Sequence, residues 1–148
     1  MRLYKFLCLT VGLIGISVST NAQDQNFNLN LLSNWDIDTM PNAGSVVYND
    51  CWGYVDCSGG EYAVMGSASY THFFDLSDPT APAEINYFAG GNTTIWRDYK
   101  SYKNYIYGVC DSCTEGLQVF DMTTAPDSVV RVLQTDEFFG KSHNIFLD

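Results

Sequence analysis

The chain has 148 residues, of which 46% are hydrophobic and 15% aromatic, enough apolar mass to build a core and too much for a disordered polymer. Seventeen acidic residues against seven basic ones give a formal net charge of −10. That charge repels phosphate backbones, so nucleic acid is excluded as an expected partner, while cations and basic surfaces remain open.

At the N-terminus, Arg2 and Lys5 precede an apolar run from Phe6 to Val18, followed by Ser19-Thr20-Asn21-Ala22. This is the pattern of a secretory signal peptide covering residues 1–22, with cleavage after Ala22. The run is shorter than the ~20 residues a helix needs to cross a bilayer, and small residues follow it, as a signal peptidase requires. Cys8 lies too early in the run for lipid attachment. Loss of Arg2 and Lys5 moves the formal balance from −10 to −12. The expected location is secreted, or at a bacterial cell surface reached by a Sec-type signal peptide. No second apolar stretch follows, so no transmembrane segment is expected in the mature chain.

Residues 23–44 read as a polar leader, and regular structure is expected from about Ser45. Short β-branched and aromatic runs then recur at Val46–Tyr48, Tyr62–Met65, Thr71–Leu76, Ile85–Phe88, Tyr105–Val109, Leu117–Phe120 and Val129–Leu133. Each is bounded by turn residues such as Ser58-Gly59-Gly60, Asp78-Pro79 and Gly90-Gly91-Asn92. No stretch shows sustained helical periodicity, so the fold class is all-β. The chain also repeats itself: Phe74-Asp75-Leu76 before Ser77-Asp78-Pro79 returns 46 residues later as Phe120-Asp121-Met122 before Thr123-Thr124-Ala125-Pro126. The openings Asn49-Asp50-Cys51-Trp52, Arg97-Asp98-Tyr99-Lys100 and His143-Asn144-Ile145-Phe146 recur on the same spacing. A period of ~45 residues with four short strands is one β-propeller blade, which predicts about two antiparallel blades and the start of a third over residues 45–148. A β-sandwich with similar strands is the alternative.

Six motifs occur in order: Tyr48-Asn49-Asp50-Cys51-Trp52-Gly53, Glu61-Tyr62-Ala63-Val64-Met65-Gly66, Phe74-Asp75-Leu76-Ser77-Asp78-Pro79, Trp96-Arg97-Asp98, Gly116-Leu117-Gln118-Val119-Phe120-Asp121 and Ser142-His143-Asn144. In this order the chain resembles the opening of bacterial choice-of-anchor B proteins, built from LVIVD-type repeats. The resemblance spans about residues 35–148 and implies a secreted surface β-propeller joined to the cell by a variable C-terminal anchor. A propeller ring needs roughly four to eight blades, so two repeats suggest an N-terminal fragment of a longer protein, or a short chain that assembles with others.

Repeat symmetry puts Asp50, Asp98 and Asn144 at matching positions near the start of successive innermost strands, on one ring beside the central channel. Their oxygens suit Ca²⁺ as a candidate cofactor; the competing role is to accept backbone N–H groups and tie each repeat to the next. Trp96, Arg97 and His143 stand just before or beside these positions and form a candidate ligand rim, in which Arg offers bidentate carboxylate recognition and His an acid, base or metal ligand. A structural role for each, Arg stacked on Trp and His merely solvated, is the competing reading. Cys110 and Cys113 flank a hairpin tip, and export favours a disulfide between them over a four-Cys zinc site with Cys51 and Cys57. Cys51 and Cys57 lie too far apart to bond if the strand between them is extended. Asp75 and Asp121 are expected to cap the turns that follow them.

No nucleophile elbow, HExxH helix or phosphate loop is present. The expected function is therefore a non-catalytic binding or adhesion module for an unknown extracellular protein or carbohydrate. The alternative is a propeller hydrolase or metal-dependent enzyme using His143 with Asp98, or a channel metal.

Overall fold

The computed structural model describes residues 29–148; the predicted signal peptide and the first residues of the leader lie outside the described residues. Residues 31–148 form one compact unit. Eight strands follow in order: β1 (Tyr48–Val55), β2 (Glu61–Ser67), β3 (Tyr70–Asp75), β4 (Ala83–Ala89), β5 (Arg97–Tyr102), β6 (Tyr105–Cys110), β7 (Leu117–Asp121) and β8 (Val130–Thr135). They make two four-stranded antiparallel sheets in the orders β1-β2-β3-β4 and β5-β6-β7-β8, and no helix occurs among the described residues. The sheets are not closed into a ring. The all-β expectation holds, and the short runs predicted from β-branched and aromatic residues fall within or beside strands β1–β4 and β6–β8.

The sequence repeat is a structural repeat. Tyr62 and Ala63 of β2 face Asp75 and Phe74 of β3, as Tyr105 and Ile106 of β6 face Asp121 and Phe120 of β7. The register also slips at the same place in both sheets, between Phe73 and Phe74 and between Val119 and Phe120. After each slip the Asp of the Phe-Asp motif caps the following turn: Asp75 Oδ1 accepts from Ser77 N–H at 2.9 Å, and Asp121 Oδ1 from Thr123 N–H at 2.8 Å.

One face of the first sheet lies on one face of the second, and the core forms between them. Val64 and Phe73 meet Ile106 and Phe120, all completely buried. Phe120 packs against Phe73 and Phe88 with ring centroids 5.0 and 5.2 Å apart. Burying each phenylalanine contributes roughly 2–3 kcal/mol, which more than offsets the side-chain entropy lost. Tyr99 is completely buried in this interface, close to Gly66 of β2 and Gly108 of β6, and these glycines make room for it. A Cβ on Gly108 would stand only 2.9 Å from the Tyr99 ring, and one on Gly66 would meet the Asn49 carbonyl oxygen at 2.4 Å as well as the ring at 3.2 Å, so both strands pass here without side chains. The Tyr99 hydroxyl pairs with Thr71 Oγ1 at 2.8 Å, and burial pushes its pKa up to about 12.

The opposite face of the first sheet is covered by the chain before β1. Trp35 packs on Phe74 and His72 with centroids 4.9 and 5.2 Å away. Tyr48 anchors that segment by donating to Asp36 Oδ1 at 2.7 Å and accepting from Ile37 N–H at 2.8 Å. The second half of the leader, with Trp35 and Asp36, thus belongs to the packed unit, because one tryptophan covers apolar surface that the strands leave open.

Candidate functional site

The first two repeated openings sit at the starts of β1 and β5, while the third, His143–Phe146, follows β8 outside any strand, and the geometry shows what they do. Asp50 has a positive φ of 56° at a bulge in β1, where the pairing with β2 slips between Asn49 and Cys51. The bulge turns its carboxylate out of the sheet and across to the next one. There Asp50 Oδ2 accepts from Tyr99 N–H at 2.9 Å, and the neighbouring Asn49 Oδ1 accepts from Arg97 N–H at 2.8 Å. One repeat later, Asp98 Oδ2 accepts from Ile145 N–H at 2.7 Å. Each carboxylate therefore holds the backbone of the following opening segment, β5 in the first case and the stretch around Ile145 in the second.

Asp50 and Asp98 differ in charge environment. Burial raises the Asp50 pKa against the opposing pull of the Tyr99 and Cys51 N–H groups. For Asp98 burial also pushes upward, but the Lys100 ammonium and the Ile145 N–H outweigh it and the pKa is lowered. Lys100 Nζ donates to Asp98 Oδ1 and to the Tyr99 carbonyl, and lies 4.5 Å from the centroid of the Trp52 ring. Asn144 directly precedes Ile145, whose N–H Asp98 accepts. Asp98 and Asn144 are thus together, and the positive charge facing them is a lysine. With Asp50 Oδ2 and both Asp98 oxygens already engaged, the arrangement fits strand clamps better than a Ca²⁺ cage, which takes six to eight free oxygens.

The three rim residues part company. Arg97 is buried, and its guanidinium donates to three backbone carbonyls: Nε to Ser67 at 2.7 Å, Nη1 to Gly90 at 2.6 Å and Nη2 to Ala68 at 3.0 Å. It ties β5 to the loops that end β2 and β4 and does not face outward to a ligand. Burial lowers its pKa, the direction expected for a cation withdrawn from water. Trp96 and His143 do come together at the surface, with ring centroids 5.1 Å apart. His143 Nδ1 lies 3.2 Å from Asp111 Oδ2, so Asp111 is its partner, whereas the oxygens of Asp98 go to Lys100 and Ile145. The hydrogen bond to His143 is the main cause that lowers the Asp111 pKa, with Ser112 N–H adding to it. Beside Trp96 a shallow surface hollow of about 340 Å³ is lined by Ala43, Val46, Thr94 and Ser112, among others.

The hairpin carrying Asp111 is closed by Cys110 and Cys113, which lie at disulfide distance with Cα atoms 5.9 Å apart. A disulfide there uses up the sulfurs that, with Glu115, make a cluster of metal-ligand type. Cys51 and Cys57 are exposed and have no disulfide partner among the described residues.

A second constellation went unnoticed in the sequence. His72, in β3, is 1% exposed. Its Nδ1 lies 2.6 Å from Glu84 Oε1 and its Nε2 lies 3.0 Å from Ser67 Oγ. The order serine, histidine, carboxylate is that of a hydrolytic relay. Here the serine is wholly buried, and its oxygen also accepts from Tyr70 N–H at 3.1 Å across the β2–β3 turn. A nucleophile closed off in this way has no room for a substrate carbonyl, so the relay orients His72. A lone His inside an apolar strand gave no signal, since both its partners lie on other strands. No family model, curated protein or solved structure matches the chain, so the resemblance to choice-of-anchor B proteins rests on motif order.

Proposed function

We propose that the two sheets are consecutive blades of a β-propeller in an exported bacterial protein, and that loops at one end of the blades bind an extracellular protein or carbohydrate without transforming it. The observation that carries this reading is the repeated clamp, Asp50 to Tyr99 N–H and then Asp98 to Ile145 N–H, at 2.9 and 2.7 Å. An identical linkage one repeat on is what a radial array of blades needs and what a sandwich of two sheets has no use for. The faces agree with it. Tyr107, Val119 and Leu133 are the register counterparts of Val64, Phe73 and Asn86, the first-sheet face that the second sheet covers. On the second sheet that face leaves an apolar groove of about 360 Å³, with Val132 and Leu133 exposed, where a further blade would stack.

Binding is assigned to the end that carries Trp96, His143 and Asp111, where an exposed aromatic plate, a hydrogen-bonding imidazole and a carboxylate meet on adjoining loops. The test is to probe glycan and extracellular-protein arrays with the purified exported chain, beside a Trp96→Ala/His143→Ala variant, and to assay ester and glycoside hydrolysis in parallel. Binding that the double variant loses, without turnover, supports the reading. Turnover abolished by His143→Ala alone would replace it with the hydrolase alternative.

A further inference from the structure

We propose that the cleft between residues 37–41 and the first sheet binds an alkylammonium group, carried by a small free amine or by a lysine side chain of a partner. This site is separate from the loop rim and does not depend on the propeller reading, because every lining residue lies between Ile37 and Tyr87. The cleft holds about 240 Å³, room for a short amine of a few carbons. Its floor is His72 and Glu84, its walls are Tyr70 and Tyr87, and its roof is Ile37, Met40 and Pro41.

Three features select a cation. The lining holds one carboxylate and no lysine or arginine, in a chain whose formal charge is −10. His72 engages only Oε1 of Glu84, the Glu84 side chain stays 25% exposed, and among the described residues no donor reaches its second oxygen. The Tyr70 and Tyr87 rings pack edge to face with centroids 5.5 Å apart and line the cleft together with that carboxylate, and Tyr87 stays 60% exposed, so aromatic surface and negative charge meet in one place, the pairing that stabilises ammonium groups. The apolar roof suits the alkyl chain behind the charge. The floor is rigid because Ser67 and Glu84 hold His72 from both ring nitrogens, so the carboxylate is oriented before a ligand arrives.

The experiment is an NMR titration of the exported chain with n-butylammonium, with Nα-acetyl-lysine methylamide, and with the neutral controls n-butanol and glucose. Saturable shifts confined to Tyr70, His72, Glu84 and Tyr87 are expected with the amine, weakening as salt is added, and n-butanol should bind at least about tenfold more weakly. Glu84→Gln keeps an acceptor for His72 while removing the charge, and should weaken the amine about tenfold. Tyr87→Ala, at an exposed position that does not threaten folding, should weaken it about threefold or more. Binding of the lysine derivative as tight as that of n-butylammonium assigns the group to a partner's lysine; its exclusion while n-butylammonium binds assigns a small free amine. Binding of n-butanol or glucose as tight as the amine, no saturable shift, or an unchanged affinity in Glu84→Gln would each overturn the proposal.

Discussion

Replacing Arg97 with methionine separates a buried staple from a ligand contact. Methionine fills much of the same volume but donates nothing, so the carbonyls of Ser67 and Gly90 lose charge-assisted hydrogen bonds of 2.7 and 2.6 Å. The Ala68 carbonyl keeps a partner, because Thr94 N–H also reaches it at 2.9 Å. Two such bonds are worth roughly 1.5–3 kcal/mol each, and relief of the buried cation's desolvation returns part of that, leaving a net loss of about 2–4 kcal/mol. With an m-value near 1.5 kcal/mol/M in urea, the unfolding midpoint should fall by about 1.3–2.7 M at constant slope. Arg97→Lys should recover only part of this, since one ammonium cannot span three carbonyls as a planar fork does. A midpoint unchanged within ~0.2 M, together with lost ligand binding, would refute the argument and return Arg97 to the rim.

The two clamping aspartates should respond to pH with opposite signs. Because the folded pKa of Asp98 is lowered, it contributes stability above its unfolded value of 3.8 that disappears as pH falls through the folded pKa; the cost of Asp98→Asn in urea titrations should therefore be full at pH 7 and shrink steadily as the pH is taken below 3.8. Asp50 is raised, so its ionised form is the disfavoured one, and Asp50→Asn, which keeps an acceptor for Tyr99 N–H, should leave stability at pH 7 unchanged or slightly raised. His143→Ala should bring the lowered Asp111 pKa back up toward 3.8, read from its carboxylate resonance against pH; an unchanged value would mean the pair does not form in solution. Reduction of Cys110–Cys113, or the double serine variant, should lower stability by about 2 kcal/mol, as expected for so short a loop, and leave the Trp96–His143 contact to loosen, visible as a change in tryptophan fluorescence.

The strands and their repeat were legible because alternation, turn residues and a 46-residue recurrence are local properties, written wherever Phe-Asp precedes a turn. The matching of Asp50 with Asp98 was legible for the same reason. Arg97 shows where that kind of reading stops. Its neighbours in sequence, Trp96 and Asp98, suggested an exposed rim, but the carbonyls it serves come from Ser67 and Ala68 at the end of β2 and from Gly90 just after β4. His72 is the same case in reverse: an ordinary strand residue until antiparallel pairing and the β2–β3 turn bring Glu84 and Ser67 to its two nitrogens. Trp35 also read as leader, and only the open apolar face of the first sheet gave it a place. Composition, charge, the all-β class and the period belong to the sequence alone, since each follows from residue order over a few positions. Which polar groups are spent on the backbone and which remain for a ligand was decided by the tertiary structure, because hydrogen bonds and burial depend on partners that sequence distance does not reveal.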